Sequence, residues 1–231
     1  MFSLFLPEKC LHCEQPSAHS HNRKLKEPLS HYLCKICLRI LNNQDAPQER
    51  MIRDEFERLG STVELNNTLA AYIFVAESPL QSVIHAMKYD GMMKLGYHLG
   101  KSLSYLVPKE VNVIIPVPLH RTRLAERGYN QAEVIAKAIT AQSNTNVVRA
   151  IKRVRPTPSQ THLSVSERIE NMRGAFALSS NASKIKGKHI IIVDDVMTTG
   201  STLASVAETL LEAKPKSIST LALAIAQPMG Q

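Results

Sequence analysis

No apolar stretch of this 231-residue chain approaches the roughly 20 residues that a membrane-spanning helix needs. Its start, MFSLFLPEKC, has no basic n-region and only a short apolar run, which argues against a secretory signal. A soluble, cytoplasmic protein is the expectation. No internal repeat or low-complexity tract is present. Tryptophan is absent and aromatic residues are 5% of the chain. Cysteine is absent after position 37. What remains is 44% hydrophobic and 21% charged, an ordinary globular composition. The length suits one α/β domain plus a small module.

The four cysteines form two pairs, Cys10-x-x-Cys13 and Cys34-x-x-Cys37. Two such knuckles suit one tetrahedral Zn²⁺ held by four thiolates. The segment between them is polar and could hardly fold alone, so metal binding would supply its folding energy. Disulfides would need an oxidising compartment. A redox CxxC usually opens a helix after a strand, whereas Pro7 precedes the first pair. His12, His19, His21 and His31 lie nearby, but four cysteines fill the site. With no open position, the zinc is expected to be structural.

Periodicity organises the rest. PQERMIRDEFERL (47–59) has helical spacing, with a proline at the front and Gly60 as a stop. AAYIFVAE (70–77) reads as a strand. SPLQSVIHAMKYDG reads as a helix with Ser78 as N-cap, Pro79 in the first turn and Leu80, Val83, Ile84 and Met87 on one face. MMKLGYHLGKSLSYLV is a second helix, interrupted by glycines. From residue 111 strands and helices alternate: VNVIIPV, NQAEVIAKAITAQ with Asn130 and Glu133 as a capping box, NVVRAI, then KHIIIVDD, STLASVAETLLEA and SISTLALAIA. RVRPTPSQTHLSVSERIENMRGAF is a long polar, basic loop, a type of segment that is usually functional or disordered. Near-continuous apolar strands between helices predict a parallel sheet covered on both faces.

IIIVDDVMTTGST (190–202) concentrates chemistry. Asp194 and Asp195 fall at the carboxyl end of a buried strand, where α/β sheets bind ligands. The turn into the next helix directs N–H groups at an anion. Gly200 allows a tight turn, and Thr198, Thr199, Ser201 and Thr202 add hydroxyl donors. Ionised aspartates accept hydrogen bonds from vicinal hydroxyls, or hold Mg²⁺ directly or through water. Phosphate cradle and acid pair together match a ribose 5-phosphate. The bland alternative is a capped turn with solvated acids.

Residues 190–202 resemble the 13-residue signature of type I phosphoribosyltransferases. By that resemblance Asp194 and Asp195 are the catalytic acids that hold the ribose hydroxyls of phosphoribosyl pyrophosphate. Thr198, Thr199, Gly200, Ser201 and Thr202 hold its 5-phosphate. The double CxxC, MKYDG, IIPVPLHRTRLAERGYNQAEVIAKAI, RVRPTPSQTHLSVSERIENMRGAF and the signature, in this order, resemble the ComF/GntX-like competence proteins from Cys10 to about Ala224. The resemblance implies an α/β fold of the type I phosphoribosyltransferase kind with a small N-terminal four-cysteine zinc module. The division is a zinc module at 1–41, a connecting helical segment at 42–70 and a phosphoribosyltransferase-like domain at 71–231. It further implies a bacterial cytoplasmic protein that handles incoming single-stranded DNA in natural transformation, with structural Zn²⁺, Mg²⁺ with phosphoribosyl pyrophosphate, and other DNA-uptake or recombination proteins as partners. Whether the chain is an enzyme stays open. An active phosphoribosyltransferase of unknown acceptor and a non-catalytic phosphoribosyl pyrophosphate-sensing adaptor are the alternatives.

Charge is compatible with a polyanionic partner. Residues 120–175 carry ten Lys/Arg against four Glu, most of the chain's net +8. Arg121, Arg123, Arg127, Lys152, Arg153 and Arg155 are the expected contacts to nucleic acid or pyrophosphate. Two prolines in PVPLH remove backbone donors from the loop that contacts pyrophosphate in the wider fold. Lys152–Arg173 matches the loop that closes over substrate in transferases. Tyr89 and Tyr129 are candidates for stacking on bases. His120 and His162 are surface residues or ligands, and Lys88 is a helix-dipole partner or a phosphate ligand.

Overall fold

The computed structural model describes residues 8–18, 28–44, 47, 49–59, 63–156, 167, 172 and 174–226. The apolar runs pair as one parallel sheet of five strands. These are β1 (Thr68–Phe74), β2 (Val113–Pro116), β3 (Asn146–Val147), β6 (His189–Met197) and β7 (Ser217–Ala226), in the order β1-β7-β6-β2-β3. β6 pairs from His189↔Ser217 to Met197↔Ile225 on one side and from Val113↔Ile190 to Pro116↔Val193 on the other. Strand alternation sends Ile191 and Val193 into one core and Ile190 and Ile192 into the other. Each face therefore needs its own helical cover.

The first face is covered by α1 (Lys35–Asn42), α3 (Pro79–Tyr89), α4 (Met93–Leu103) and α6 (Gln131–Thr140). The second carries α2 (Glu49–Arg58) through Ile52 and Phe56, and α7 (Ser201–Leu211) through Leu203, Val206 and Leu210. Among the described residues no helix is long and apolar enough to cross a membrane. α3 starts as its sequence suggests: Ser78 Oγ accepts from Gln81 N at 3.3 Å and Pro79 sits in the first turn. Leu80, Val83, Ile84 and Met87 are all buried. The glycines of α4 belong to its packing. A Cβ on Gly100 would lie 2.6 Å from the Ile135 carbonyl oxygen and 2.7 Å from Ala138 Cβ, so α4 meets α6 at a distance only glycine permits.

Three expectations are corrected. NVVRAI is two strands, not one. After Val148 N bonds Ile114 O, the chain leaves the sheet. β4 (Ile151–Arg153) then pairs antiparallel with β5 (Phe176–Leu178) in a separate ribbon. The capping box is half formed. Asn130 Oδ1 accepts from Ala132 N at 3.1 Å, but Glu133 turns outward to Lys137 at 2.8 Å and to Arg149 Nε at 3.1 Å. Two cations compete better for this carboxylate than a neutral N–H does. Finally, β6 runs two residues beyond the acids, because Val196 and Met197 still pair with β7.

The N-terminal segment shares a core with the sheet. Leu29, Tyr32, Leu33, Leu38 and Leu41 join the same buried cluster as Leu80, Met87, Leu95 and Leu99. His12 Nδ1 lies 3.1 Å from Ser82 Oγ of α3.

Candidate functional site

Because successive side chains of a strand point to opposite faces, the two acids of β6 diverge. Asp194 lines a small open pocket with Val196, Met197, Thr198, Gly200, Ser201, Thr202 and Leu203. Gly200 has φ +75°, the left-handed conformation that turns the strand into α7. No side chain caps this helix, and its first backbone bond is Ala204 N to Gly200 O at 2.8 Å. The opening turn thus presents N–H groups and the positive end of the helix dipole to the pocket. Thr199 Oγ1 donates to Ser201 Oγ at 3.2 Å.

Asp195 looks to the other face. It is 9% exposed, and its Oδ2 lies 3.0 Å from Lys88 Nζ in the last turn of α3. Lys88 is therefore neither a dipole partner alone nor a free phosphate ligand. It is the counter-ion of the second acid. No periodicity in the sequence marks this pairing between distant segments. Tyr129 is also there, 7% exposed, donating its hydroxyl to the Met87 carbonyl.

The four sulfurs converge. Cys13 Sγ lies 3.6 Å from Cys34 Sγ and 3.7 Å from Cys37 Sγ, and all four lie within 4.8 Å of one another. A tetrahedron with Zn–S of about 2.3 Å has sulfurs about 3.8 Å apart. The cluster is thus compatible with a structural zinc. Leu11 N to Tyr32 O (2.8 Å) and Ala18 N to Leu33 O (2.9 Å) tie the two knuckles together. Burial raises the Cys10 thiol, but backbone N–H groups of Cys13, Cys34 and His12 outweigh it and bring it to about 7, whereas burial and the neighbouring sulfurs hold the Cys37 thiol up; a cation between them would let all four ionise.

A phosphoribosyl transferase domain is matched over residues 124–230. Competence protein F of Haemophilus influenzae is 32% identical over 142 residues, 57% of this chain and 62% of that protein. DNA utilization protein YhgH of Shigella flexneri is 29% identical over 87% of this chain and 77% of its own. Competence protein ComFC of Bacillus subtilis is 29% identical over 69% of this chain and 59% of its own. These matches together support a ComF-like family for this chain. It spans less than two thirds of two of these relatives.

Within this ComF-like fold the basic residues divide. Arg153 of β4 faces the first acid: its charge and that of Asp194 act on each other, with Arg123 and Arg155 close by. Burial works against the Arg153 charge, and its Cζ sits 5.5 Å from the Phe176 ring centroid. Arg121, Lys152 and Arg155 are exposed. Arg149 and Lys137 are occupied by Glu133. Arg168, Arg173 and most of the loop 157–173 lie outside the described residues, as do His19, His21, His162 and Gly60.

Two expectations are corrected here. Tyr129 is a core residue rather than a stacking surface, because its ring is buried and its hydroxyl is used. His120 is not a surface residue. It is 8% exposed and caps α5 (Arg121–Arg127), with Nδ1 accepting from Thr122 N at 3.4 Å. In PVPLH, Val117 N is spent on Val193 O and Val117 O accepts from Asn130 Nδ2 at 2.9 Å. Pro116 and Pro118 lack N–H groups, so of that stretch only Leu119 and His120 keep backbone donors that a pyrophosphate could use.

Burial, and then the neighbouring Asp195 charge, push the Asp194 carboxyl up to about 7. The folded state therefore holds a proton that the unfolded state releases near its ordinary value. This contribution to stability is complete below about pH 4 and is lost as pH rises toward 7. Asp194→Asn removes the dependence. In metal-free buffer the variant should melt above wild type at pH 7.5, and the two should converge near pH 4, as read by calorimetric Tm across that range.

Proposed function

We propose that this protein serves natural transformation by handling incoming single-stranded DNA on the cytoplasmic side, with a bound phosphoribosyl pyrophosphate–Mg²⁺. The observation that carries the ligand reading is the uncapped amino end of α7 beside Asp194. Thr198, Thr199, Gly200, Ser201 and Thr202 would take the 5-phosphate. Asp194 and Asp195 would take the ribose hydroxyls or Mg²⁺, which would neutralise pyrophosphate charge. Arg123 and Arg153 supply cations beside a proline-bearing loop that has few N–H groups to offer. In this reading residues 1–41 are a zinc module, 42–70 a connector and 71–231 the ligand-binding domain. The names of the relatives, Competence protein F, ComFC and DNA utilization protein YhgH, support the role in DNA uptake.

Titrating a short oligo(dT) by fluorescence anisotropy tests the DNA half. If Arg121, Arg123, Lys152 and Arg155 neutralise about four phosphates, affinity falls roughly 50-fold between 50 and 200 mM salt. A flat salt response would remove the electrostatic model. Calorimetry with phosphoribosyl pyrophosphate and Mg²⁺ tests the other half. Wild type should release heat, and Asp194→Asn/Asp195→Asn should not.

A further inference from the structure

Tyr89 closes α3 one residue after Lys88 and leaves 63% of its surface exposed. Apolar exposure of this size on a single ring needs no explanation by itself. The ring, however, is fixed. His85, one helical turn earlier, lies 4.7 Å away between centroids at an interplanar angle of 45°. The Arg127 guanidinium sits 5.4 Å from its centroid, and is itself held by Gln131 Oε1 at 3.1 Å. The helix end beneath is tied twice more, by Tyr129 donating to the Met87 carbonyl and by Lys88 on Asp195. A surface tyrosine normally keeps its rotamers, and here two neighbours restrict them, which lowers the cost of seating a planar partner. Aromatic rings accept any base by its π-face, and an adjacent guanidinium adds to the contact.

We propose that Tyr89, flanked by His85 and Arg127, is a stacking platform for one nucleobase at the end of α3 that Lys88 ties to Asp195. This deepens the reading given above, since it names the part of the ligand that the ribose-phosphate residues do not explain. The base can arrive in a single strand or free. Asp195 is held by Lys88, the residue next to Tyr89, so the ring stands at the helix end that is tied to the second acid. Contact by stacking is sequence-tolerant.

The test uses the full chain as wild type, Tyr89→Ala, Tyr89→Trp and, as a control, Tyr105→Ala, which alters a tyrosine 78% exposed. The probes are oligo(dT), an abasic strand of the same length, and free 2-aminopurine riboside read by fluorescence quenching. Tyr89→Ala is expected to weaken oligo(dT) binding roughly tenfold with an unchanged salt slope. Tyr89→Trp and Tyr105→Ala should stay near wild type. The abasic strand should bind wild type and Tyr89→Ala alike. If wild type ignores oligo(dT) but quenches the riboside through Tyr89, the DNA reading falls and the platform stands with a free base as its ligand. A Tyr89→Ala variant within twofold of wild type on both base-bearing probes overturns the proposal. So does an equal loss on the abasic strand, which would place the effect in the backbone contacts.

Discussion

Lys88→Met destabilises the protein by about 2–3 kcal/mol, and adding Asp195→Asn restores most of that loss. The pair is partly shielded, with side chains 20% and 13% exposed, so its geometry is worth more than that of a surface ion pair. Deleting the cation leaves a carboxylate beside a second one, with little water to screen them. Methionine keeps the length and packing of the lysine stem, which isolates the charge. The measurement is a urea melt of wild type, both singles and the double. A double variant as unstable as Lys88→Met would mean that Lys88 acts through packing instead. The ligand readout separates structure from site: Lys88→Met/Asp195→Asn should fold yet bind phosphoribosyl pyrophosphate–Mg²⁺ more weakly than wild type, because one acceptor is gone.

Chelation, or Cys34→Ser, is expected to cost on the order of 4 kcal/mol, about 10 °C in Tm. The reason lies in the shared core. Cys34 is the N-cap of α1, and its sulfur receives the Cys37 N–H at 3.5 Å. Losing the tetrahedron frees α1 and the turn at Pro28–His31. Those bring Leu29, Leu33, Leu38 and Leu41 to the face that α3 and α4 also cover. The unfolding is then not confined to a detachable finger. Scanning calorimetry before and after a high-affinity chelator, with metal content by atomic emission, checks it. A single unshifted transition in zinc-free protein would contradict it.

How far the sequence revealed this depends on the range of the interaction. Ser78 before Pro79, Asn130 before α6 and the turn at Gly200 were legible, because caps and tight turns are settled within a few residues. The cysteine pairs were legible for the same reason. Near-continuous apolar runs predicted strands covered on both faces, and β6 and β7 are buried along most of their length. What stayed hidden is settled at long range. The Lys88–Asp195 pair, the Tyr129 hydroxyl on Met87 and the Arg149–Glu133 pair all join segments far apart in the chain. Gly96 and Gly100 read as interruptions of α4, since propensity penalises them, yet α6 passes too near for any other residue at Gly100. The capping box failed because two cations outbid one N–H. The acids read as a pair because they are adjacent, although strand alternation alone assigns them to different faces.

The strand order has a consequence for synthesis. β1 emerges from the ribosome early and hydrogen-bonds in the sheet to β7, the last described strand, which slots between β1 and β6. For most of translation β1 therefore has an open edge and nowhere to place it. Completion is a late insertion, and the acids of β6 gain their second neighbour only then. A nascent chain halted before residue 217 would hold the signature motif without the strand that anchors it. Such a chain should be prey to proteases and to pairing with its own kind.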